Sequence, residues 1–125
     1  MVKKTVMVVD DDPAILDVCR IVLEDEGFKV KTYQSAKHLY KLNNDRPDLI
    51  LLDILLAGED GREICSLLKK NPKTKSIPVI LFSAHIQEKI GERKGADQAD
   101  YFIPKPFDVN ELVSIVRRFT SSKPS

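Results

Sequence analysis

Short apolar runs alternate with amphipathic stretches along most of the chain. Five of the runs are typical of β-strands, because they are brief, continuous or alternating, and often β-branched. They cover residues 5–9, 28–33, 49–52, 78–82 and 101–103. Between and after them, apolar residues recur at the spacing of helices that bury one face. The pattern therefore predicts strands and helices in regular alternation.

The helices have recognisable ends. Asp12 is a suitable side-chain cap, and Pro13 suits the first helical position, where its missing N–H costs nothing. Gly27 is placed to end the same helix. Asp108 precedes Glu111 by three residues, which is the spacing of a capping box at the start of the last helix.

Four helices have a predicted inner face, and the second of them is short and begins at Ser35. The inward residues, helix by helix, are expected to be Ile15, Val18, Cys19, Val22 and Leu23; Ala36, Leu39 and Tyr40; Ile64, Leu67 and Leu68; and Leu112, Ile115, Val116 and Phe119. A loop containing Gly58 and Gly61 is expected before the third helix. A further helical stretch, residues 86–94, has few apolar anchors and is predicted to be marginal.

Five strands alternating with five helices predict an α/β fold with a parallel sheet and helices on both faces. The expected class is a flavodoxin-like, doubly wound sheet with strand order 2-1-3-4-5. A chain of 125 residues has the length of one domain. We expect that domain to cover residues 1–125, with a core of about 3–120 and a polar tail at 121–125.

The balance of charge indicates which kinds of binding partner are expected. Twenty basic and nineteen acidic residues leave a net charge of +1, which does not favour direct contact with nucleic acid or an anionic membrane. The local basic cluster of Lys69, Lys70, Lys73 and Lys75 is interpreted as a solvated helix end and loop. No stretch resembles a signal peptide or a membrane span, so a cytoplasmic protein is expected.

Polar residues follow four of the five predicted strands. In an open parallel sheet, ligands bind beyond the carboxyl ends of the strands, where the winding direction reverses. The residues at these positions are Asp10, Asp11, Asp12, Asp53, Ser83 and Lys105. We therefore expect them at one edge of the sheet, and we find no comparable set for the other edge.

Three of these carboxylates indicate a metal site. In the predicted order Asp10, Asp11 and Asp53 face one another, and two like charges about 4 Å apart repel by roughly 4 kcal/mol at an effective dielectric of about 20. A cation is therefore expected, and oxygen ligands favour Mg²⁺ or Mn²⁺ over zinc. Cys19 and Cys65 lie in apolar-periodic segments without CxxC spacing and are predicted to be buried hydrophobic residues.

The same residues suit phosphoryl transfer. A carboxylate beside Mg²⁺ can attack phosphorus to form an acyl phosphate. The ammonium of Lys105 would neutralise charge on the phosphoryl oxygens, and Ser83 would hydrogen-bond one of them. Asp12 by itself is interpreted as a helix cap. Taken singly, Asp10 and Asp11 could be loop aspartates and Lys105 a surface lysine, but polar residues of these types at four strand ends favour a site.

Several motifs resemble the receiver domain of response regulators in two-component signalling. They are VVDDDP at 8–13, PDLILLD at 47–53, DG at 60–61, PVILFSA at 78–84 and KPF at 105–107. The similarity spans about residues 3–120. It implies a signalling domain rather than a conventional enzyme, although such a domain catalyses its own phosphoryl transfer and dephosphorylation.

The resemblance also implies roles for individual residues. Asp53 would accept a phosphoryl group from a sensor histidine kinase or a histidine phosphotransfer protein. Asp11 and Asp53 would bind Mg²⁺ directly, Asp10 mainly through water, and Leu55 through its backbone carbonyl.

Ser83 would be the switch hydroxyl of such a domain, and Phe102 its switch aromatic residue. Lys105 would contact the phosphoryl group, and its bond to Pro106 would be cis. A downstream effector would bind the face of residues 84–119. Phe102 stands where the family more often has tyrosine, and Leu56-Ala57 stands where it usually has Met-Pro.

Two other functions are compatible with parts of the pattern. Asp10 and Asp12 resemble the nucleophile and the general acid of haloacid-dehalogenase-type phosphatases, but Pro13 reads as a helix start and departs from that family. A flavodoxin-like cofactor binder would need a Gly-rich phosphate loop after the first strand, which the sequence lacks.

Overall fold

The five predicted strands form one parallel sheet in the computed structural model, which describes residues 3–42, 46–83 and 98–121. In chain order the elements are β1 (Thr5–Val9), α1 (Pro13–Asp25), β2 (Lys29–Tyr33), a 3₁₀ helix (Ala36–Lys41), β3 (Leu49–Asp53), β4 (Leu55–Leu56), β5 (Glu59–Asp60), α2 (Gly61–Lys70), β6 (Val79–Ser83), β7 (Tyr101–Pro104) and α3 (Val109–Thr120). The weak helix expected at 86–94 lies outside the described residues.

The order of strands in the sheet is β2-β1-β3-β6-β7, and every neighbouring pair is parallel. This is the predicted 2-1-3-4-5 order, because the short strands β4 and β5 pair with each other in a separate antiparallel hairpin. The winding direction reverses between β1 and β3. Their carboxyl ends therefore lie side by side, as expected for a doubly wound, flavodoxin-like fold.

Side chains of the central strands alternate between two cores, one on each face of the sheet. One core lies under the 3₁₀ helix and α2 and includes Met7, Val9, Ile50, Leu52, Val79 and Leu81. The other lies under α1 and α3 and includes Val6, Val8, Leu49, Leu51, Ile80 and Phe82. Burial of both faces explains why these strands read as unbroken apolar runs.

The predicted helix ends are confirmed. The Asp12 carboxylate accepts the N–H of Ala14 at 2.9 Å, and α1 starts at Pro13. Gly27 follows the helix with φ +98°, in the left-handed region that favours glycine. At the start of α3, the Asp108 carboxylate accepts the N–H of Glu111 at 3.1 Å, as the capping-box spacing predicted.

Three residues predicted to face inward are exposed instead. Val18 is 38% exposed, Leu67 54% and Tyr40 55%. The buried positions next to Val18 and Leu67 in sequence are Cys19 and Leu68, which lie about 100° further round their helices. Tyr40 lies outside because the second helix is a 3₁₀ helix with three residues per turn, so residues three apart, Ala36 and Leu39, line its buried side.

Neither Cys19 nor Cys65 forms a disulfide, and both are buried, as predicted. Cys19 packs in the α1–α3 core and Cys65 in the opposite core. Burial, followed by the nearby carboxylate of Asp10, raises the pKa of the Cys19 thiol to about 12. The thiol therefore stays protonated and behaves as a small hydrophobic side chain.

Lys69 is not the solvated lysine that the sequence suggested. Its side chain is 9% exposed, and its Nζ lies 2.8 Å from Asp100 Oδ2 and 2.8 Å from the carbonyl oxygen of Ile77. The same Asp100 oxygen accepts the N–H of Val79 at 2.8 Å. This group ties the end of α2 to the starts of β6 and β7, at the edge of the sheet opposite the predicted site.

Asp100→Ala is expected to lower the free energy of unfolding by about 2 kcal/mol, because the Val79 N–H and the Lys69 ammonium both lose an acceptor. Glu24→Ala is the control, since it removes an exposed helical pair with Arg20 at 3.6 Å and should cost less than about 1 kcal/mol. Urea denaturation of the two variants measures the difference. Equal losses would contradict a structural role for the Asp100 group.

Candidate functional site

The carboxyl ends of β1 and β3 bring three aspartates together. Asp10 directly follows β1, Asp11 comes next, and Asp53 is the last residue of β3. One carboxylate oxygen from each lies within 4.8 Å of the other two. Asp10 is fully buried and Asp53 is 6% exposed, whereas Asp11 is exposed. The cluster is therefore open to ligands on the side of Asp11.

Lys105 enters the same site from the end of β7. Its Nζ lies 2.8 Å from Asp10 Oδ2 and 3.3 Å from Asp53 Oδ2. Its backbone N–H donates to the carbonyl oxygen of Ser83 at 2.7 Å, and its bond to Pro106 is cis. The lysine is thus held by β6 at its backbone and by both buried carboxylates at its ammonium.

Each of the two buried carboxylates is held in the same manner. Asp10 Oδ1 accepts the N–H of Asp12 at 2.9 Å, and Asp53 Oδ1 accepts the N–H of Leu55 at 3.3 Å. The second oxygen of each carboxylate faces Lys105. Both carboxylates are therefore oriented by the loop that follows their own strand.

The surroundings of Asp53 disfavour the charged form of its carboxyl group. Burial, and then the charge of Asp10, raise the pKa of Asp53, while Lys105 and the Leu55 N–H lower it in part. Burial alone would lower the pKa of Lys105, but its hydrogen bonds and its attraction to Asp10 and Asp53 raise it. The lysine stays charged, yet it does not fully compensate two buried carboxylates.

The donor set fits a hard divalent cation. All three side chains offer carboxylate oxygens, which Mg²⁺ and Mn²⁺ prefer. Added positive charge would offset the burial and the repulsion by Asp10 that raise the pKa of Asp53. Exposure of Asp11 leaves room for the waters that Mg²⁺ retains.

The other residues predicted for the site lie around it. Ser83 ends β6 and is 2% exposed, and its Cα register partner is Pro104 of β7. Phe102 is 5% exposed and packs in the core under α2. The side chain of Leu55 is 55% exposed, and the residue pairs with Asp60 in the hairpin. Of the expected effector face, residues 84–97 lie outside the described residues.

Gly61 was predicted to lie in a loop and is instead the first residue of α2. A Cβ at this position would lie 2.1 Å from the carbonyl oxygen of Asp53. Asp60 accepts the N–H of Arg62 at 2.9 Å and caps the helix. In the sequence, the signal for this close contact between α2 and Asp53 was the Asp-Gly pair ahead of an apolar-periodic segment.

Comparison with known families and proteins shows which sequences this chain resembles. The family described as response regulator receiver domain matches residues 6–117. The chain is 39% identical over 116 residues to the "DNA-binding dual master transcriptional regulator RpaA" of Synechocystis, covering 90% of this chain and 47% of that protein. It is 37% identical over 117 residues to the "Phosphate regulon transcriptional regulatory protein PhoB" of Klebsiella pneumoniae, covering 91% of this chain and 50% of that protein.

Solved structures show the same similarity. The receiver domain of a signal transduction histidine kinase from Syntrophus aciditrophicus is 29% identical with a TM-score of 0.80, and the match covers 98% of this chain and 94% of that one. A putative response regulator from Chloroflexus aurantiacus is 26% identical with a TM-score of 0.82, covering 97% and 100%.

The chain spans about half the length of the curated relatives it matches. In the part of the chain that the structure describes, the longest helix has 13 residues, and none there combines the length and apolar character needed to cross a membrane.

Lys105→Met is expected to lower the free energy of unfolding by about 3 kcal/mol without divalent metal, because two buried carboxylates lose their cation. Mg²⁺ should restore part of the loss by neutralising the same charges. Lys29→Met, at an exposed strand position, is the control and should change stability by less than about 0.5 kcal/mol. Urea denaturation in EDTA and in Mg²⁺ measures both effects, and a loss that matches the control would show that Lys105 does not stabilise the pair.

Proposed function

The chain belongs to the response regulator receiver domain family, and we propose that Asp53 is its phosphoryl acceptor. It is a receiver domain of two-component signalling. The observation that carries the assignment of Asp53 is its position at the end of β3, nearly buried, within 4.8 Å of the other two aspartates and 3.3 Å from Lys105. Burial, and then the charge of Asp10, raise the pKa of its carboxyl, so its carboxylate is more basic than that of an exposed aspartate.

In the proposed reaction, a carboxylate oxygen of Asp53 attacks phosphorus and the bond from phosphorus to the donor breaks. The donor is a phosphohistidine of a sensor histidine kinase or of a histidine phosphotransfer protein, and its ring nitrogen leaves with the electron pair. Lys105 donates to a phosphoryl oxygen and reduces the charge that develops there. Ser83, at the end of the neighbouring strand, donates its hydroxyl to another phosphoryl oxygen.

The acidic cluster would hold Mg²⁺, or Mn²⁺ in its place, through Asp11, Asp53 and the backbone carbonyl of Leu55, with Asp10 acting mainly through water. When bound, the metal supplies charge neutralisation for the phosphoryl oxygens. The proposal includes slow hydrolysis of the acyl phosphate by the domain itself, which ends the signal and regenerates the Asp53 carboxylate.

Output is proposed to pass through the face of residues 84–119. A phosphoryl group on Asp53 adds charge and acceptor oxygens at the strand ends. Ser83 and Lys105 would respond to it. Phe102, the second residue of β7 and the register partner of Leu81 in β6, would transmit the change. The switch is a shift between two populated states, so the phosphoryl group must interact with them unequally.

A partner protein fits this output face better than nucleic acid, because the net charge of +1 gives no basic footprint. The relatives named as DNA-binding or transcriptional regulators are about twice as long as this chain. Their names therefore do not place DNA contact on this domain. The proposal places the domain in the cytoplasm, as the sequence suggested.

A phosphatase with Asp10 as nucleophile is not favoured. The family match covers most of the chain. The geometry also argues against it, because the Asp12 carboxylate, which would be the general acid, caps α1 through the N–H of Ala14 at 2.9 Å. Asp10 is fully buried and bound to Lys105 at 2.8 Å.

With Mg²⁺ and acetyl phosphate, the intact protein is expected to gain one hydroxylamine-labile phosphoryl group, which mass spectrometry detects. Asp53→Asn should abolish the gain, since the amide is a poor nucleophile. Asp17→Asn, at an exposed position on α1, is the control and should be labelled as the wild type is. Label that persists on Asp53→Asn and maps to Asp10 would support the phosphatase instead.

Asp11→Ala is expected to weaken Mg²⁺ binding by about tenfold or more, which corresponds to about 1.4 kcal/mol, and to slow phosphorylation at a fixed Mg²⁺ concentration. Without metal, the same variant should be more stable than the wild type, because one repelling carboxylate is gone. Asp17→Ala should change neither property. Titration calorimetry gives the affinity, and equal affinity in Asp11→Ala and the wild type would place the metal elsewhere.

A further inference from the structure

We infer that Gly61 is a positioning residue for the proposed acceptor: its missing side chain lets the first turn of α2 support the backbone of residues 53–55. The inference rests on the proposed role of Asp53. The contact is between two stretches of backbone. Gly61 is proposed because it has no side chain at the point of contact, and not because it carries a functional group.

The space at Gly61 is filled by the acceptor segment itself. An added Cβ would lie 2.1 Å from the carbonyl oxygen of Asp53, 2.9 Å from its carbonyl carbon and 2.9 Å from Ile54 Cα. Real Cβ atoms essentially never approach other atoms to less than 3.0 Å. All three neighbours are backbone atoms, so no side chain can rotate away to make room.

Gly61 also holds this segment by hydrogen bonding. Its N–H donates to the carbonyl oxygen of Ile54 at 2.7 Å. On the other side of the segment, the Ile54 N–H donates to the carbonyl oxygen of Phe82 in β6 at 3.0 Å. Ile54 is therefore fixed between the sheet and the first residue of α2.

The same contacts reach the functional groups. Leu55 follows Ile54, pairs with Asp60 in the hairpin, and donates its N–H to Asp53 Oδ1 at 3.3 Å. A displacement of residues 53–54 therefore moves the Asp53 carboxylate and the Leu55 carbonyl together. These are the proposed nucleophile and a proposed metal ligand.

A side chain at position 61 has few other ways to be accommodated. β3 pairs with β1 on one side and β6 on the other, and all five of its residues are buried. The body of β3, residues 49–52, resists movement, so the shift falls on the end of the strand and the loop after it, residues 53–55, and on the first turn of α2. A side chain at position 61 is therefore expected to displace the groups of the site as well as to lower the free energy of unfolding.

Gly61→Ala and Gly27→Ala form a matched pair for the test. Gly27 has φ +98° and nothing within 4 Å of its added Cβ, so alanine there strains the backbone far from the acceptor. Both variants are expected to lose stability. They are compared with the wild type at a temperature where urea denaturation shows each to be fully folded.

Two measurements separate positioning from stability. Titration calorimetry gives the Mg²⁺ dissociation constant without phosphoryl donor, and labelling with acetyl phosphate at saturating Mg²⁺ gives the rate. For Gly61→Ala we expect weaker Mg²⁺ binding and a rate lower by about 10- to 100-fold, the range that a displacement of about 1 Å can cause. For Gly27→Ala we expect both values to stay within about twofold of the wild type.

Equal values in Gly61→Ala and Gly27→Ala would overturn the inference, while labelling of the wild type and its loss in Asp53→Asn would still support the proposed function. Should Gly61→Ala not fold, Asp60→Ala takes its place, because it removes the cap at Arg62 N–H and loosens the same turn without a clash. Asp60→Asn is its control, because it removes the same charge but keeps an oxygen that can cap the helix. Weaker Mg²⁺ binding in folded Asp60→Ala than in Asp60→Asn supports the inference, and equal binding in the two variants overturns it.

Discussion

Two carboxylates buried at the ends of neighbouring strands and bound to the same lysine are the arrangement on which the rest of this structure depends. Asp10 and Asp53 face Lys105 at 2.8 and 3.3 Å. Their burial is costly because each charge leaves water, and the cost is met by the lysine and by one backbone N–H for each carboxylate. The remaining repulsion among the carboxylates favours binding of a cation beside them.

The sheet keeps this arrangement in place. β1 and β3 pair directly, and β7 carries Lys105 to the same edge through its pairing with β6. Both faces of the central strands are packed in separate cores, so the strand ends have little freedom. The loops after β1 and β3 then orient the carboxylates, and α2 supports the second loop through Gly61. A rigid sheet therefore presents reactive groups on short loops, which is a common division of roles in α/β folds.

Sequence patterns predicted the strands and the caps well, because these depend on neighbouring residues. Residues 5–9 were predicted as a strand and form one with the same limits. The patterns were less reliable for residues whose environment is set by distant parts of the chain. Lys69 follows an apolar face and resembles a solvated lysine, yet Asp100, 31 residues later, binds it at 2.8 Å. Tyr40 was misplaced because the period of its helix is that of a 3₁₀ turn.

By itself, the sequence determined the alternation of strands and helices, the fold class, and the set of acidic and basic residues that follow the strands, since each depends on local periodicity and on residue type. The roles assigned to those residues followed from motif similarity. Tertiary structure alone decided how the carboxylates share Lys105, how deeply Asp10 and Asp53 are buried, and how closely α2 approaches Asp53 at Gly61. These features depend on distances between segments far apart in the chain, such as the 2.8 Å between Lys105 and Asp10, which are 95 residues apart in sequence. Such distances are set by tertiary packing, and the local sequence pattern does not contain them.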